Sequence, residues 1–447
     1  MSPFSSVRPS GLPKGLLPVA NQPMLSYVLE WCERASFNGI SLVVPQDFIS
    51  EFKYYIEEIY LKNHTFKNIE VIGAEDKYTG ATVASLSNKI TSDFVVLPCD
   101  FITDVPPQEL IDLHRRREDS TLITGVYYKN NLENIEKKAL ISDYIVHTPL
   151  CGEEPKLLDF YAKDVVKEKK SLDLRARMLW IYPNTIVSSQ ILRASIFFCS
   201  KKVWSLLDEQ RTENDNSLEI PWHKVVRDLS RKSWKSAHQS HHSSVTALRM
   251  LSPESTFIRC NNLSAYVEAN RHVMRQRARE ANMAGGGAPK QKQQNSSAAS
   301  IGGDSTVGED TTVGEKTNVK RTVIGNNCVI GKKCRLNGCV IMDNVTLEDE
   351  VVLENCLVGR KAVIRYRSRL TTCNVEANFD VSKQTQAKNE TLQSLSMEGL
   401  VEDNESGLLD SDEESDEDDS DESGDWEESE EDDDEDDNAE EDDLFER

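Results

Sequence analysis

Three short stretches carry residue types that could act on a phosphate. GLPKGLLPVANQPML sets Lys14 behind Pro13, YTGATVASL holds Gly80, and LPCDFITDV ends an apolar run on Asp100. A lysine neutralises phosphate charge, a glycine lets backbone approach a ligand closely, and a carboxylate can hold a divalent metal. Each also has an ordinary reading. Lys14 can start a loop, Gly80 can make a turn, and Asp100 can cap a following helix. Phosphate chemistry needs, in addition, a run of backbone N–H donors to cradle the charge. Only MSPFSSVRPS precedes GLPK, and it holds no Gly-x-Gly turn followed by Arg. The expectation is therefore a vestigial nucleotide site at Lys14, Gly80 and Asp100, with no catalytic residue, no cofactor and no metal.

The elements that would position these residues alternate helix and strand. MLSYVLEWCERA repeats apolar residues at helical spacing before the short run ISLVVP, and FISEFKYYIEEIYLKN precedes NIEVIGA in the same way. ATVASLSNKI then leads into SDFVVLPCD. Helix followed by buried strand, repeated, implies an α/β domain with a mostly parallel, Rossmann-type sheet covered on both faces. AYVEANRHVMRQRARE closes it with a strongly polar helix, so that this domain spans 1–280. Residues 281–303, rich in Gly, Ser and Gln, read as a linker.

Beyond the linker the period changes. Val307, Val313 and Val319 stand six apart, as do Ile324, Ile330, Leu336 and Met342 after a slip of one residue, then Leu347 and Leu353 after another. Gly308, Gly314, Gly325, Gly331 and Gly359 each follow an aliphatic residue. A six-residue period fits neither a strand nor an α-helix; it implies hexapeptide repeats stacked in a left-handed parallel β-helix. The reading assigns residues 304–375 to about three triangular coils, with Val313, Ile324 and Ile330 fully buried. Residues 376–401 are then a polar spacer.

Charge is concentrated at the end. From Glu402 onward 29 Asp or Glu face a single Arg447, and the other 401 residues carry about +4 out of a net −24. Such a segment repels itself and is expected to be a disordered acidic tail. Ser411, Ser415 and Ser429 each precede an acidic residue by three positions, a pattern that invites phosphorylation by an acidophilic kinase. The ten cysteines contain no C-x-x-C pair and read as reduced thiols; His238, His241 and His242, in a Ser-rich stretch, are a weak metal candidate. No run is long and apolar enough for a membrane span, and no secretory signal is evident, which favours the cytosol.

An α/β domain followed by hexapeptide repeats is the order shared by sugar-nucleotide pyrophosphorylases and by two relatives in translation initiation. PKGLLPVANQPML resembles their common signature, in which the lysine reaches a substrate phosphate, Gly80 falls at the turn that approaches the base, and Asp100 falls at the metal-holding carboxylate. The Glu-Lys-Pro triplet of the enzymes is absent, with FYAKD in that region. LPCDFITDVPPQELIDLHRR, NNLSAYVEANRHV and the block TNVKRTVIGNNCVIGKKC with VIMDNVTLEDEVVLENCLVG resemble the gamma-subunit family of eukaryotic translation initiation factor 2B, over about residues 12–365. The resemblance implies a non-catalytic regulatory subunit of a guanine-nucleotide exchange complex. Its implied partners are the larger catalytic epsilon subunit and translation initiation factor 2, within a hetero-decamer and without direct nucleic-acid or membrane contact. The start lacks the first strand and Gly-rich loop of that pattern, and no all-helical domain follows the repeats. The alternative is a sugar-1-phosphate nucleotidyltransferase of the mannose-1-phosphate guanylyltransferase type. An acyltransferase, which usually needs a histidine in its solenoid, is disfavoured because 304–375 contains none.

Overall fold

A computed structural model describes residues 12–393, apart from 36, 65, 75, 133–134, 136–139, 141–142, 151–153, 214–217, 236–245 and 284–298. The histidine cluster, most of the expected linker, Ser411, Ser415, Ser429 and the acidic segment lie outside the described residues.

The first part is an α/β body whose strands follow the apolar runs of the sequence. ITGVYY, Ile123–Tyr128, is buried at all six positions because both faces of its sheet are covered. It pairs in parallel with Thr246–Met250 and antiparallel with Leu192–Cys199, which in turn pairs antiparallel with Phe94–Val96. A second, parallel pair joins Ile40–Pro45 to Ile69–Ala74, the two strands that each follow a helix in the sequence. The sheets are thus mixed, with parallel pairing where helices connect strands. Trp222–Lys235 is an amphipathic helix that buries Trp222, Val225, Val226 and Leu229 on one side.

The second part is a triangular parallel β-helix. Thr306–Val307 pairs with Val323–Ile324, which pairs with Val340–Ile341, then Leu357–Val358, Asn374–Val375 and Thr391–Leu392. Each step advances 17 residues, so one coil is three hexads less one residue, and the slips seen in the sequence recur once per coil. Two further faces, of five and six strands, complete the triangle. Gly325 and Gly331 follow inward aliphatic residues because a Cβ there would lie 2.6–2.7 Å from the backbone of the next coil. At the corners one residue takes positive φ; asparagine, which tolerates that region, does so at Asn327, Asn344 and Asn378.

Three expectations for the solenoid are corrected. It runs from Ser300 to Leu392 and takes five 17-residue steps from Val307, rather than about three coils over 304–375. The residues read as polar spacer from 376 onward begin with its last coil. That coil was hidden because its outward positions are Asp380, Gln386 and Thr391, while its inward ones shrink to Val381, Ala387 and Leu392. Met342 does not point inward. Ile341 does, and Met342 occupies the register position of Gly325 and Gly359, buried instead against the α/β body. Val313 is only partly buried, whereas Ile324 and Ile330 are buried as expected. Its strand is the first of its face and has a neighbour on one side only.

The inward and outward sides of one strand give a direct test of this register. Ile330 lies in the core and Val329, beside it, is 51% exposed. Ile330→Ala should cost about 2–5 kcal/mol in chemical denaturation, and Val329→Ala should stay within about 0.5 kcal/mol. Equal losses at the two positions would contradict the assigned faces.

Candidate functional site

Two of the three residues singled out in the sequence meet. Lys14 opens a single 3-10 turn, Lys14–Leu16, behind Pro13, and Gly15 in that turn packs against Phe52, whose ring lies 3.3 Å from where a Cβ would stand. The turn aims the Lys14 ammonium at Asp100 Oδ2, 2.5 Å away. Asp100 follows the apolar run 94–97 and is 2% exposed.

A third residue, not anticipated from the sequence, completes the arrangement. Arg259 lies on the strand Phe257–Arg259, which pairs antiparallel with Phe101–Thr103 and so sets residue 259 beside 101. Its Nε stands 2.8 Å from Asp100 Oδ1, and its Nη2 donates to Oδ2 at 3.3 Å. Nη1 donates to the Ala194 carbonyl at 2.9 Å, which fixes the guanidinium. The Cys260 N–H donates to the Asp100 carbonyl at 2.8 Å, locking the backbone as well. Burial works to raise the Asp100 carboxyl, but the Arg259 guanidinium and then the Lys14 ammonium outweigh it and hold it below the usual carboxylate range. The carboxylate is therefore ionised and already claimed by two cations of its own chain.

Gly80 has separate work. It sits in the first turn of the helix Thr79–Ser85, its N–H donates to the Ile220 carbonyl at 2.9 Å, and a Cβ would lie 2.5 Å from that oxygen. A side chain there would meet the 218–220 backbone, so the glycine allows close packing. FYAKD, where a second phosphate-binding lysine was sought, holds Phe160 between the guanidinium groups of Arg193 and Arg227, at 4.6 and 5.7 Å from the ring centre. Nearby His223 is half-buried, and desolvation, followed by the charge of Arg193, lowers its pKa to about 2; it is neutral in the working range. Among the described residues no group of three or more His, Cys, Asp or Glu side chains is arranged to hold a metal ion. All nine described cysteines are free thiols.

The stretch PVANQP, which follows Lys14, forms a tight hairpin in which Pro18–Val19 pairs with Gln22–Pro23. Ala20 and Asn21 both take positive φ, as a type I′ turn requires. Side chains from the helix Leu263–Met283 hold it: Asn270 Oδ1 accepts from the Ala20 N–H at 2.8 Å, and Arg277 donates to the Ala20 carbonyl at 2.8 Å. Asn21 Nδ2 donates across to the Ile324 carbonyl of the solenoid at 2.7 Å.

The comparisons with known proteins agree with this architecture. Residues 289–387 match the family model described as the EIF2B subunit epsilon LbH domain. A translation initiation factor eIF2B gamma subunit from Schizosaccharomyces pombe is 28% identical over 204 residues, 45% of this chain and 43% of that protein. The chain resembles eIF2B gamma subunits. One from Dictyostelium discoideum is 25% identical over 221 residues, 45% of this chain and 48% of the relative. A mannose-1-phosphate guanyltransferase from Emericella nidulans is 32% identical over 115 residues, 25% of this chain and 31% of that protein. The chain thus spans about half the length of the gamma relatives it matches. The second part is the left-handed parallel β-helix expected from the repeats, and the first is nucleotidyltransferase-like.

The ion triad predicts a pH dependence with a definite sign. Because the folded pKa of Asp100 is depressed, its contribution to stability is fully present above the unfolded carboxylate pKa of about 4 and is lost as pH falls through the lower folded value. Arg259→Met removes the larger of its two cationic partners from a buried carboxylate. It should cost about 3–5 kcal/mol near neutral pH and move the onset of acid unfolding upward, read by denaturation at a series of pH values. An unshifted acid limb would show that Arg259 does not hold the carboxylate ionised.

Proposed function

We propose that this chain is a non-catalytic, regulatory subunit of an eIF2B-type guanine-nucleotide exchange complex, acting through contacts with other subunits. The observation that carries this reading is the closure of Asp100 by Lys14 and Arg259, in a chain that resembles eIF2B gamma subunits. A divalent cation at Asp100 would sit within a few ångströms of two fixed positive charges, and the repulsion in a buried site exceeds what one carboxylate returns. A nucleotidyl-transfer centre needs the opposite, a carboxylate free for metal and a lysine free for phosphate. Gly80, packed against the 218–220 segment, supports the same conclusion. The stretch similar to a mannose-1-phosphate guanyltransferase is the basis of the other reading, and it covers a quarter of the chain.

In this reading the partners are the epsilon-type catalytic subunit and translation initiation factor 2, the assembly is a hetero-decamer, and the compartment is the cytosol. The role is to support exchange by the catalytic subunit.

Two measurements test it. The purified chain should form no nucleoside triphosphate or sugar 1-phosphate from GDP-mannose, ADP-glucose or UDP-glucose with pyrophosphate and Mg²⁺ above a blank. Added to the catalytic subunit of the same organism, it should co-purify stoichiometrically and accelerate GDP release from factor 2. Pyrophosphorolysis that Asp100→Asn abolishes would overturn the non-catalytic reading, and failure to co-purify would overturn the assignment to the exchange complex.

A further inference from the structure

The three faces of the β-helix differ in charge and cover. The first is closed off by the α/β body, with Val323, Val340 and Leu357 buried against it. On the second, charges pair within the chain: Arg365 meets Asp380 at 2.5 Å and Glu348 at 3.4 Å. The third, built from the strands Ser300–Ile301, Asn318–Lys320, Arg335–Asn337, Val352–Glu354, Arg369–Thr371 and Gln386–Lys388, is open to solvent and basic. Lys320, Arg335, Arg369 and Lys388 are all exposed on it, and none forms an ion pair among the described residues. The neighbouring Lys333 and Arg367 share Glu350, at 3.5 and 2.7 Å.

We propose that this third face docks an extended, acidic segment of a partner protein. The four cations stand two or more coils apart within each outward column, with Glu354 the one carboxylate among them, so the face carries a net positive charge that an acidic ligand complements. The spacing suits a polypeptide. Adjacent coils lie about 4.8 Å apart, so Arg335 and Arg369, two coils apart, are separated by about 10 Å, close to three residues of an extended chain at about 3.3 Å each. Between them stands Val352, half-buried, with Glu354. The ligand that fits has two acidic blocks flanking a neutral or apolar residue set on Val352. A nucleic-acid backbone, charged at every step, would meet Glu354 with a phosphate, and the strands of this face hold no aromatic ring on which a base could stack. The proposal does not depend on membership of an exchange complex, since it is read on the purified chain.

The test is fluorescence anisotropy of the full chain with a labelled peptide of two glutamate blocks around a leucine, at low and at physiological salt. Binding should weaken with salt, and the triple variant Arg335→Glu, Arg369→Glu, Lys388→Glu should lose about tenfold or more in affinity, the sum of several exposed pairs. Lys361→Glu, an exposed corner residue away from this face, should leave binding unchanged, and melting curves should show each variant folded. Absent binding at low salt, unaltered affinity in the triple variant, or an equal loss in Lys361→Glu would overturn the proposal. Tighter binding of labelled oligouridylate than of the peptide would overturn it in favour of a nucleic-acid surface.

Discussion

Three aliphatic side chains on successive coils, Val323, Val340 and Leu357, hold this molecule together. They stand one above another on a single face of the β-helix and are buried against Tyr266, Ala269 and Val273 of the helix Leu263–Met283. The corresponding positions on the outer coils are Thr306, Asn374 and Thr391, so the apolar strip ends where the cover ends. That one contact explains a helix that looked merely polar in sequence. Its Ala265, Tyr266, Ala269, Val273 and Met274 form a narrow stripe at spacings of three and four, and the remaining turns face water with arginine and glutamate. Glu268 is buried within it because Arg271 and Arg275 reach it, at 3.9 and 2.5 Å.

The position of Asp100's partners follows from the same helix. It begins four residues after Arg259, and its Asn270 and Arg277 hold the hairpin that follows Lys14. Both cations that close on Asp100 are therefore tied to one element, which is itself pinned to the solenoid. Arg271 adds to that anchor by donating to the Gly338 carbonyl at 3.2 Å and to Asn355 at 3.0 Å, on a corner of the β-helix. The triad, with Asp100 buried and Lys14 half-buried, is thus held by the same packing that joins the two parts.

How much of this could be read from the chain depended on whether the signal was periodic or long-range. The β-helix was legible because its inward residues recur and its glycines mark close stacking, while its last coil was not, since a terminal coil needs less apolar surface. The misplacement of Met342 has the same origin: a strict six-residue count ignores the shorter corner, and only the 17-residue coil puts Ile341 inside. Lys14 and Asp100 were legible as a pair because both residue types suit phosphate chemistry. Arg259 was not, because FIRC reads as an edge of core and its meeting with Asp100 depends on strand pairing across 159 residues. Fully buried Val313 was expected from period alone, which cannot show that a first strand lacks one neighbour.

The motif that first suggested chemistry has packing roles throughout. Gly15 leaves room for Phe52, Gly80 for the 218–220 backbone, and PVANQP makes a hairpin whose turn atoms are bonded to a helix and to the β-helix. None of these uses requires a substrate. A fold and a chemistry are separable, and these residues separate them: the same short stretch that would present a lysine to a phosphate also supplies the joint between two parts of the chain. With Arg259 on the other side of Asp100, the lysine is one arm of an ion triad that satisfies the carboxylate within the chain.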